Sequence, residues 1–505
     1  MNQIRIGALL SYISIFLTFI VGFIYTPILI RILGQTDYGI YSLILAFASY
    51  LSLMDMGVGN AIVRYIARNR VLGDSNKESD LIGHFLKFFL VISLFTIVVG
   101  VLICINAPFF FQNSLETPDI KTAQIMIIIL TINFALSFPL NVYSSVLQAY
   151  ERFIFLKLFS IIRIVIVPIV TLISLTIGYR LIAMTVISSS VNIIILIIGY
   201  LYCKKVIGIK VTYSPINLNY KKEIYSYALL IFLTAIADKI YWQTDQILLG
   251  ILKNPESVAI YAVAIQFIFI FISLSGALST LFLPQITKLV TEENHISRLD
   301  ELFIKISKYQ FFILALVFSG FFLFGQDFII LWAGQTFEQA YIIVIILMIP
   351  FFFDLVQNTG LVILQAKGLY LFRTISLIVC SILNIVISIP IINLYGSIGT
   401  AIVTSLFVAI GNVILLNVYY HYKVGLNIKL YWKNIISITV PILLLVTFIY
   451  IIIFNQRMQI MELIIWIVLY TVLYTAVIYF FCFSTTEKRA LKRTLSNIIS
   501  IVIKI

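Results

Sequence analysis

The chain has 505 residues, of which 62% are apolar and only 11% are charged, with a formal net charge of +13. Soluble domains carry about 25% charged residues and cannot leave so much apolar surface in water. The composition therefore excludes a cytosolic enzyme, a secreted disulfide scaffold and a disordered chain. It predicts an all-α polytopic membrane protein.

Apolar runs long enough to cross a bilayer as helices, which takes about 20 residues, recur along the whole chain. We predict fourteen spans, at 6–30, 38–63, 82–107, 124–148, 154–177, 181–203, 226–250, 258–284, 307–332, 339–365, 374–394, 397–420, 435–454 and 460–483. The loops between them are too short for an extramembrane domain, and they contain neither a Walker A motif nor a catalytic constellation. The pattern predicts a transporter that does not use ATP, and no enzyme.

The basic residues are distributed unequally between the two sides of the predicted membrane. With the N-terminus inside, the outside connections hold Arg31, Lys121, Arg180, Lys253 and Arg457. Arg163 and Lys239 lie within spans, and the remaining 27 of the 34 Lys and Arg residues fall on the cytoplasmic side. The positive-inside rule then predicts that both termini are cytoplasmic. Because the positive charge is dispersed through short loops, it does not indicate nucleic-acid binding.

Two halves of the chain resemble each other. The pattern that begins at Phe16 recurs from Phe232 at an offset of 216 residues, and further matches follow at offsets of 217 and 218. An offset of six spans preserves direction, so the halves are predicted to be parallel repeats. We predict an N-lobe at 1–210 with spans 1–6, a C-lobe at 211–425 with spans 7–12, and an addition at 426–484 with spans 13 and 14.

The predicted tail, 485–505, is basic and has apolar residues at helical spacing. It is either an amphipathic helix in the inner-leaflet interface or an ordinary basic anchor. The four cysteines and the histidines His84, His295 and His421 have no metal-ligand spacing, so no metal or cofactor is predicted.

Ionisable residues inside spans are the sharpest functional signal, because each one costs about 2.5–3.5 kcal/mol to insert. They are Asp55 in span 2, Arg163 in span 5, Asp238, Lys239 and Asp245 in span 7, and Asp354 in span 10, with Arg31 and Arg64 near the ends of spans 1 and 2. Such residues normally face a bundle interior or a wet cavity. Asp55 has a structural alternative, in which it pairs with Arg64 or caps a local break at Gly57 and Gly59.

Span 7 has the highest density of these residues. Asp238, Trp242 and Asp245 stand at i, i+4 and i+7 and share one helical face, with Tyr241 at its border. This face is unsuited to lipid and is predicted to line the space between two bundles. An alternative is that Asp238 or Asp245 pairs with a basic residue of a neighbouring helix.

Arg163 lies near the middle of span 5, where a guanidinium needs an anionic partner. A carboxylate of another helix and a phosphate of a cargo are both open, since arginine suits bidentate phosphate contacts. In span 10, Pro350 is expected to kink the helix, and Asp354 and Asn358 are expected to line a cavity.

The N-terminal pattern of Arg31-Ile32-Leu33-Gly34, Tyr38-Gly39-x-Tyr41, Asp55-x-Gly57 and Arg64 resembles the opening of Wzx-type polysaccharide-unit flippases. These belong to the multidrug/oligosaccharidyl-lipid/polysaccharide (MOP) exporter superfamily. The run Asp245-Gln246-Ile247-Leu248-Leu249-Gly250 is also similar to that family, and the resemblance covers about residues 1–425. Gln35 departs from the family, which often has Pro there.

The resemblance implies a MATE-like fold of two six-helix lobes and a cargo of oligosaccharide on undecaprenyl diphosphate. That cargo would move from the cytoplasmic to the outer leaflet of a bacterial plasma membrane. A polysaccharide polymerase and a chain-length regulator would be partners, and H⁺ or Na⁺ would be the coupling ion.

These implications assign roles to the polar residues of the spans. Substrate binding is assigned to Arg31, Arg163, Lys239, Tyr241, Trp242 and Asn358, and ion coupling to Asp238, Asp245 and Asp354. The alternative is a cation-coupled drug or solute exporter of the same superfamily, which would use the same carboxylates and would not need Arg163.

Overall fold

The computed structural model describes residues 3–215, 217–292, 296–454 and 456–489, and every regular element in those ranges is helical. The α-helices are α1 Gln3–Leu33, α2 Gln35–Leu51, α3 Val58–Val71, α4 Ser75–Phe111, α5 Thr117–Ala149, α6 Phe153–Thr176, α7 Leu181–Tyr202, α8 Leu218–Leu252, α9 Pro255–Leu281, α10 Leu283–Val290, α11 Ile296–Ala333, α12 Gln339–Val356, α13 Asn358–Ala366, α14 Leu371–Val408, α15 Leu416–Tyr419, α16 Ile428–Ile453 and α17 Ile460–Val477. The all-α prediction is confirmed. His295 and residues 490–505 of the predicted tail lie outside the described residues.

The number of spans agrees with the sequence once one long stretch is divided. Within the described ranges, thirteen helical stretches are long and apolar enough to cross a bilayer. One of them, Leu371–Val424, contains the two predicted spans 374–394 and 397–420. Gly396 interrupts its helical geometry with φ 57° and ψ −136°, a conformation that glycine adopts readily. About fourteen membrane helices therefore remain consistent with the structure.

Several helices begin at residues that supply a partner for the free N–H groups of the first turn. Asp74 accepts the backbone N–H of Lys77 before α4, and Asn427 accepts that of Leu430 before α16. Gln459 and Glu462 form a reciprocal capping box at the start of α17. These polar positions satisfy groups that the helix cannot satisfy internally, and they fix where the apolar runs begin.

Two predicted spans are interrupted by breaks in the helix. In span 2, a 3₁₀ turn at Ser52–Asp55 and the left-handed residues Met56 and Gly57 separate α2 from α3. In span 10, the break between α12 and α13 lies at Gln357, whereas the expected site of distortion was Pro350.

A hydrogen bond from another helix explains why α12 continues through Pro350. A proline leaves the carbonyl four residues earlier without its helical N–H, and in a membrane another donor must replace it. For Pro350 that carbonyl belongs to Ile346, and the Ser405 hydroxyl donates to it at 2.9 Å. The helix can therefore pass through the proline without leaving a bare carbonyl.

The same arrangement occurs twice between α4 and α5. Ser93 Oγ lies 2.6 Å from the Ala135 carbonyl that Pro139 leaves free and 2.7 Å from the Phe89 carbonyl of its own helix, so its one proton is shared between them. Gln124 Nε2 donates at 2.9 Å to the Cys104 carbonyl that Pro108 leaves free. In all three cases the replacement donor comes from a different helix.

The chain divides into two compact units. Unit 1 comprises Met1–Ala262 and Leu377–Thr400, and unit 2 comprises Val263–Ser376 and Ala401–Ile505. Unit 1 therefore contains α8, which the sequence assigns to the predicted C-lobe. The predicted division into lobes at 1–210 and 211–425 stays a prediction.

Within unit 1, α8 and the start of α9 lie against α2 and α3. A Cβ at Gly39 would lie 1.9 Å from the Pro255 carbonyl oxygen, so only glycine permits this approach. The Tyr50 hydroxyl lies 2.7 Å from the Thr244 hydroxyl, and Arg68 pairs with Glu223 at 3.1 Å. These contacts hold the polar segment of α8 against the interrupted span 2.

The ends of the described helices allow the predicted orientation to be tested. Glu116 and Glu338 precede α5 and α12, whereas Asn76 and Asn217 lie at the starts of α4 and α8. Because the distribution of basic residues predicts that both termini are inside, we expect reporter fusions at Glu116 and Glu338 to be extracytoplasmic and those at Asn76 and Asn217 to be cytoplasmic. Reversal at two of the four sites would contradict the orientation.

Candidate functional site

Arg163 lies at the centre of a polar cluster in unit 1, which we call the arginine cluster. Its NH1 donates to Asn192 Oδ1 at 3.0 Å, and Asn192 Nδ2 donates to Asn133 Oδ1 at 3.0 Å and to Ser137 Oγ at 2.9 Å. The cluster thus joins α5, α6 and α7. Because both ends of the Asn192 amide are engaged, its carbonyl is held towards the guanidinium.

Arg163 lies near the middle of α6, a helix long and apolar enough to cross a bilayer. It is the eleventh residue of the helix that begins at Phe153, which places it about 15 Å along an axis that spans about 30 Å of hydrocarbon. Its side chain is exposed. In the part of the chain that the structure describes, no carboxylate lies at salt-bridge distance from it, and its one hydrogen bond goes to the neutral Asn192. A cation with a single neutral partner retains donors with which to bind an anion.

Span 7 provides a second group of polar residues, which we call the α8 stripe: Asp238, Lys239, Tyr241, Trp242 and Asp245. Its exposure changes along the helix, since Asp238 is exposed while Asp245 is only 5% exposed. The Tyr261 hydroxyl of α9 donates to Asp245 at 2.5 Å. Tyr241 and Trp242 have ring centroids 4.8 Å apart in an edge-to-face arrangement. The buried Asp245 therefore has a neutral hydrogen-bond donor beside it.

Lys239 contacts α2 through its backbone. Its backbone carbonyl accepts a hydrogen bond from the Tyr50 hydroxyl at 3.3 Å. Its side chain is half-buried. Arg163 and Lys239 thus make separate contacts, to Asn192 and to Tyr50.

Unit 2 contains the third group, around Asp354. This residue is 7% exposed, and Asn412 Nδ2 donates to its carboxylate at 3.0 Å. The charge of Arg373 also acts on the carboxylate. Asn412 lies in a π-helical turn, Ala409–Leu415, and its backbone carbonyl accepts a hydrogen bond from Gln357 Nε2 at 2.8 Å. The helix break at Gln357 and the π turn therefore meet at Asp354.

Asn358, the first residue after that break, contacts a different helix. Its Nδ2 donates to the Ser275 hydroxyl of α9 at 3.2 Å, and Gln310 Nε2 lies 3.4 Å from the same hydroxyl. Asp354 and Asn358 belong to unit 2, whereas the arginine cluster and the α8 stripe belong to unit 1.

The remaining predicted residues lie at helix ends or breaks. Asp55 accepts the Gly59 N–H at 3.4 Å, which is the capping arrangement that the sequence left open. Arg64 stacks over the Tyr227 ring at 4.5 Å. Arg31 is exposed in the last turn of α1, where a cation interacts favourably with the helix dipole.

The sequence did not identify the neutral partners Asn192, Tyr261 and Asn412. Each lies on a different helix from the charge it contacts, 29, 16 and 58 residues away. A single asparagine or tyrosine in an apolar run has no spacing that signals such a role.

Comparison with known families identifies the chain. A family described as polysaccharide biosynthesis protein matches residues 5–290, more than half of the chain. The chain belongs to this family. Both motifs that carried the resemblance, from Arg31 to Arg64 and from Asp245 to Gly250, lie inside the matched residues, so the resemblance is confirmed.

Solved structures of other membrane proteins share the fold of this chain. Lipid II flippase MurJ in an inward closed conformation matches with a TM-score of 0.73 at 18% identity, covering 94% of this chain and 99% of that one. An inward-facing multidrug resistance MATE family transporter of the MOP superfamily matches with a TM-score of 0.64 at 13% identity, covering 83% and 95%. A MOP superfamily transporter from Pyrococcus furiosus matches with a TM-score of 0.51 at 13% identity, covering 83% and 93%. No curated protein sequence matches the chain.

Proposed function

We propose that this protein flips an oligosaccharide linked to undecaprenyl diphosphate across a bacterial plasma membrane. The movement runs from the cytoplasmic to the outer leaflet and supplies O-antigen, capsule or exopolysaccharide synthesis. Both termini are cytoplasmic, and a polymerase and a chain-length regulator act on the delivered units. Membership of the polysaccharide biosynthesis family and a fold similar to a lipid II flippase support this proposal.

The arginine cluster is the observation that carries the proposal. A buried or membrane-embedded cation is unfavourable unless an anion compensates it. The described residues supply Arg163 with the neutral Asn192 and no carboxylate at salt-bridge distance. A diphosphate supplies the missing negative charge and matches the two-pronged geometry of a guanidinium. Lys239 and Arg31 are proposed to add positive charge, and Tyr241, Trp242 and Asn358 to contact the sugars.

A cation gradient is proposed to drive the movement. Asp245 and Asp354 are both buried, and each accepts a hydrogen bond from a neutral group, Tyr261 and Asn412 respectively. Neutral donors tolerate both a charged and a neutralised carboxylate, which suits a site that binds and releases H⁺ or Na⁺. Asp238 is the third proposed coupling carboxylate. Alternating access would then couple movement of the cation in one direction to movement of the lipid-linked cargo in the other.

The same carboxylates favour one other function, export of a drug or solute in exchange for a cation. A ligand that binds the native state raises its apparent melting temperature. We expect undecaprenyl-diphosphate-linked oligosaccharide to stabilise the purified protein, and organic cations such as tetraphenylphosphonium to leave it unchanged. Undecaprenyl phosphate without sugar is the control for nonspecific lipid effects. Stabilisation by the organic cation alone would contradict the flippase and support the exporter.

A further inference from the structure

A cavity of about 440 Å³ opens in unit 2, and none of the residues assigned above lines it. Its walls come from the last turns of α11, the start of α12, the end of α16 and the connection from α16 to α17. Volumes of about 300–1,000 Å³ are typical of small-molecule sites. The positive-inside orientation puts this connection, which contains Arg457, on the outer side.

One wall of the cavity is aromatic. The Phe322 and Tyr450 rings have centroids 6.0 Å apart and planes 34° apart, and the Phe454 ring lies 5.5 Å from that of Tyr450. These side chains are 38%, 42% and 57% exposed, so their faces are accessible. An exposed ring face stacks against the C–H face of a pyranose, which is apolar on that side.

The facing wall is polar and already ordered. The Asp327 carboxylate accepts the Met458 N–H at 3.2 Å and lies 3.7 Å from Arg457 NH1. Arg457 NH2 also pairs with Glu338 at 3.0 Å, and Gln326 Nε2 donates to the same carboxylate at 2.6 Å. These bonds fix the connection onto the end of α11 and present carboxylate and amide edges to the cavity. Planar groups of this kind bind vicinal hydroxyls.

The charge of the cavity selects the class of ligand. Among the described residues that line it, the charged side chains are Asp327 and Arg457, and Arg457 also pairs with the nearby Glu338, so the three side chains together carry one net negative charge. Arg457 is engaged by two carboxylates, so it has little capacity left for a lipid phosphate. The oxygens of both carboxylates are already engaged, by Arg457, the Met458 N–H, Gln326 and Gln335, so neither is left unpaired for an organic cation. An aromatic face opposite hydrogen-bonded polar edges suits an uncharged sugar.

We propose that this cavity is a glycan site that binds an uncharged pyranose on the outer face of the protein. The site shares no residue with the proposed headgroup site and rests on the proposed function only for the side of the membrane and the source of the sugar. A sugar held there would be retained near the outer leaflet after the diphosphate has left Arg163.

Saturation-transfer difference NMR on the full-length protein tests the site, in a detergent that has no sugar headgroup. The probes are maltose and N,N′-diacetylchitobiose at millimolar concentration. We expect ring C–H signals from at least one disaccharide, reduced at least fivefold in Tyr450→Ala. Tyr450→Leu keeps the bulk but loses the ring face and should show the same reduction if Tyr450→Ala does not fold. Tyr179→Ala, at a tyrosine that is 61% exposed and outside the cavity, should keep the full signal.

Three results would overturn the proposal. The first is the absence of signal from both disaccharides, and the second is an equal signal in the wild type and both Tyr450 variants. The third is loss of the sugar signal when short-chain phosphatidylglycerol or tetraphenylphosphonium is added, which would show that a lipid or an organic cation occupies the cavity. The measurement needs neither a bilayer nor transport. Failure of the flippase proposal therefore leaves a positive sugar result in place, and a negative sugar result leaves the Arg163 prediction in place.

Discussion

Arg163→Gln should weaken binding of the undecaprenyl-diphosphate-linked cargo by roughly thirtyfold, which corresponds to about 2 kcal/mol for a charged hydrogen bond. The substitution removes the charge and the two-pronged donor while keeping a polar side chain that can still contact Asn192. Arg163→Lys keeps the charge and loses the fork, so its loss should be smaller. Binding to purified, well-folded protein is the measurement, and Lys239→Gln should also weaken it.

Arg180→Gln is the matched control, because Arg180 is an exposed arginine that pairs with Asp37 at 3.0 Å and takes no part in the arginine cluster. Its affinity should equal that of the wild type. A purely structural role for Arg163 predicts a lower folded yield instead, with unchanged affinity in the protein that does fold. Unchanged affinity in both Arg163→Gln and Lys239→Gln would eliminate the headgroup site.

Asp245→Asn and Asp354→Asn should abolish the response of transport to an imposed cation gradient. Asparagine has the same shape as aspartate, and its carbonyl can still accept from Tyr261 or Asn412, so folding and expression should be preserved. What is lost is the charge that binds H⁺ or Na⁺. The measurement is the rate of transport into vesicles with a gradient divided by the rate without one.

Asp238→Asn completes the set of proposed coupling variants, and Asp37→Asn is the control because that carboxylate pairs with Arg180 near the start of α2. The control should retain gradient-driven transport. If all three coupling variants transport normally and still respond to the gradient, the assignment is wrong. Loss in only one of them would identify the coupling residue.

The membrane helices were predictable because hydrophobic length is a property of local sequence. The breaks inside them were less so. Met56 and Gly57 adopt left-handed conformations where Gly57 approaches the Ala228 carbonyl of α8, an approach made by residues far apart in the chain. Pro350 marks no break because Ser405, 59 residues from Ile346, supplies the replacement donor. Tertiary contacts decided both cases.

The candidate site divides in the same way. The charges at 163, 245 and 354 were evident from the sequence because ionisable residues are rare in membrane spans. Their partners were not, because polar residues such as Asn412 are distinguished only by what the fold places beside them. Asp55 was partly predictable, since a cap at Gly59 is a contact within a single turn.

The prolines have a consequence for how the helices move. Cross-helix donors at Gln124 and Ser93 pin α4 to α5 at two depths, because sliding or parting the two would leave the Cys104 and Ala135 carbonyls bare in hydrocarbon. A carbonyl without a donor there costs several kcal/mol. We therefore expect α4 and α5 to move together as one rigid pair during transport, and the conformational change to occur at other helix contacts. Amide hydrogen exchange should find α4 and α5 protected to the same degree in every state that the protein visits.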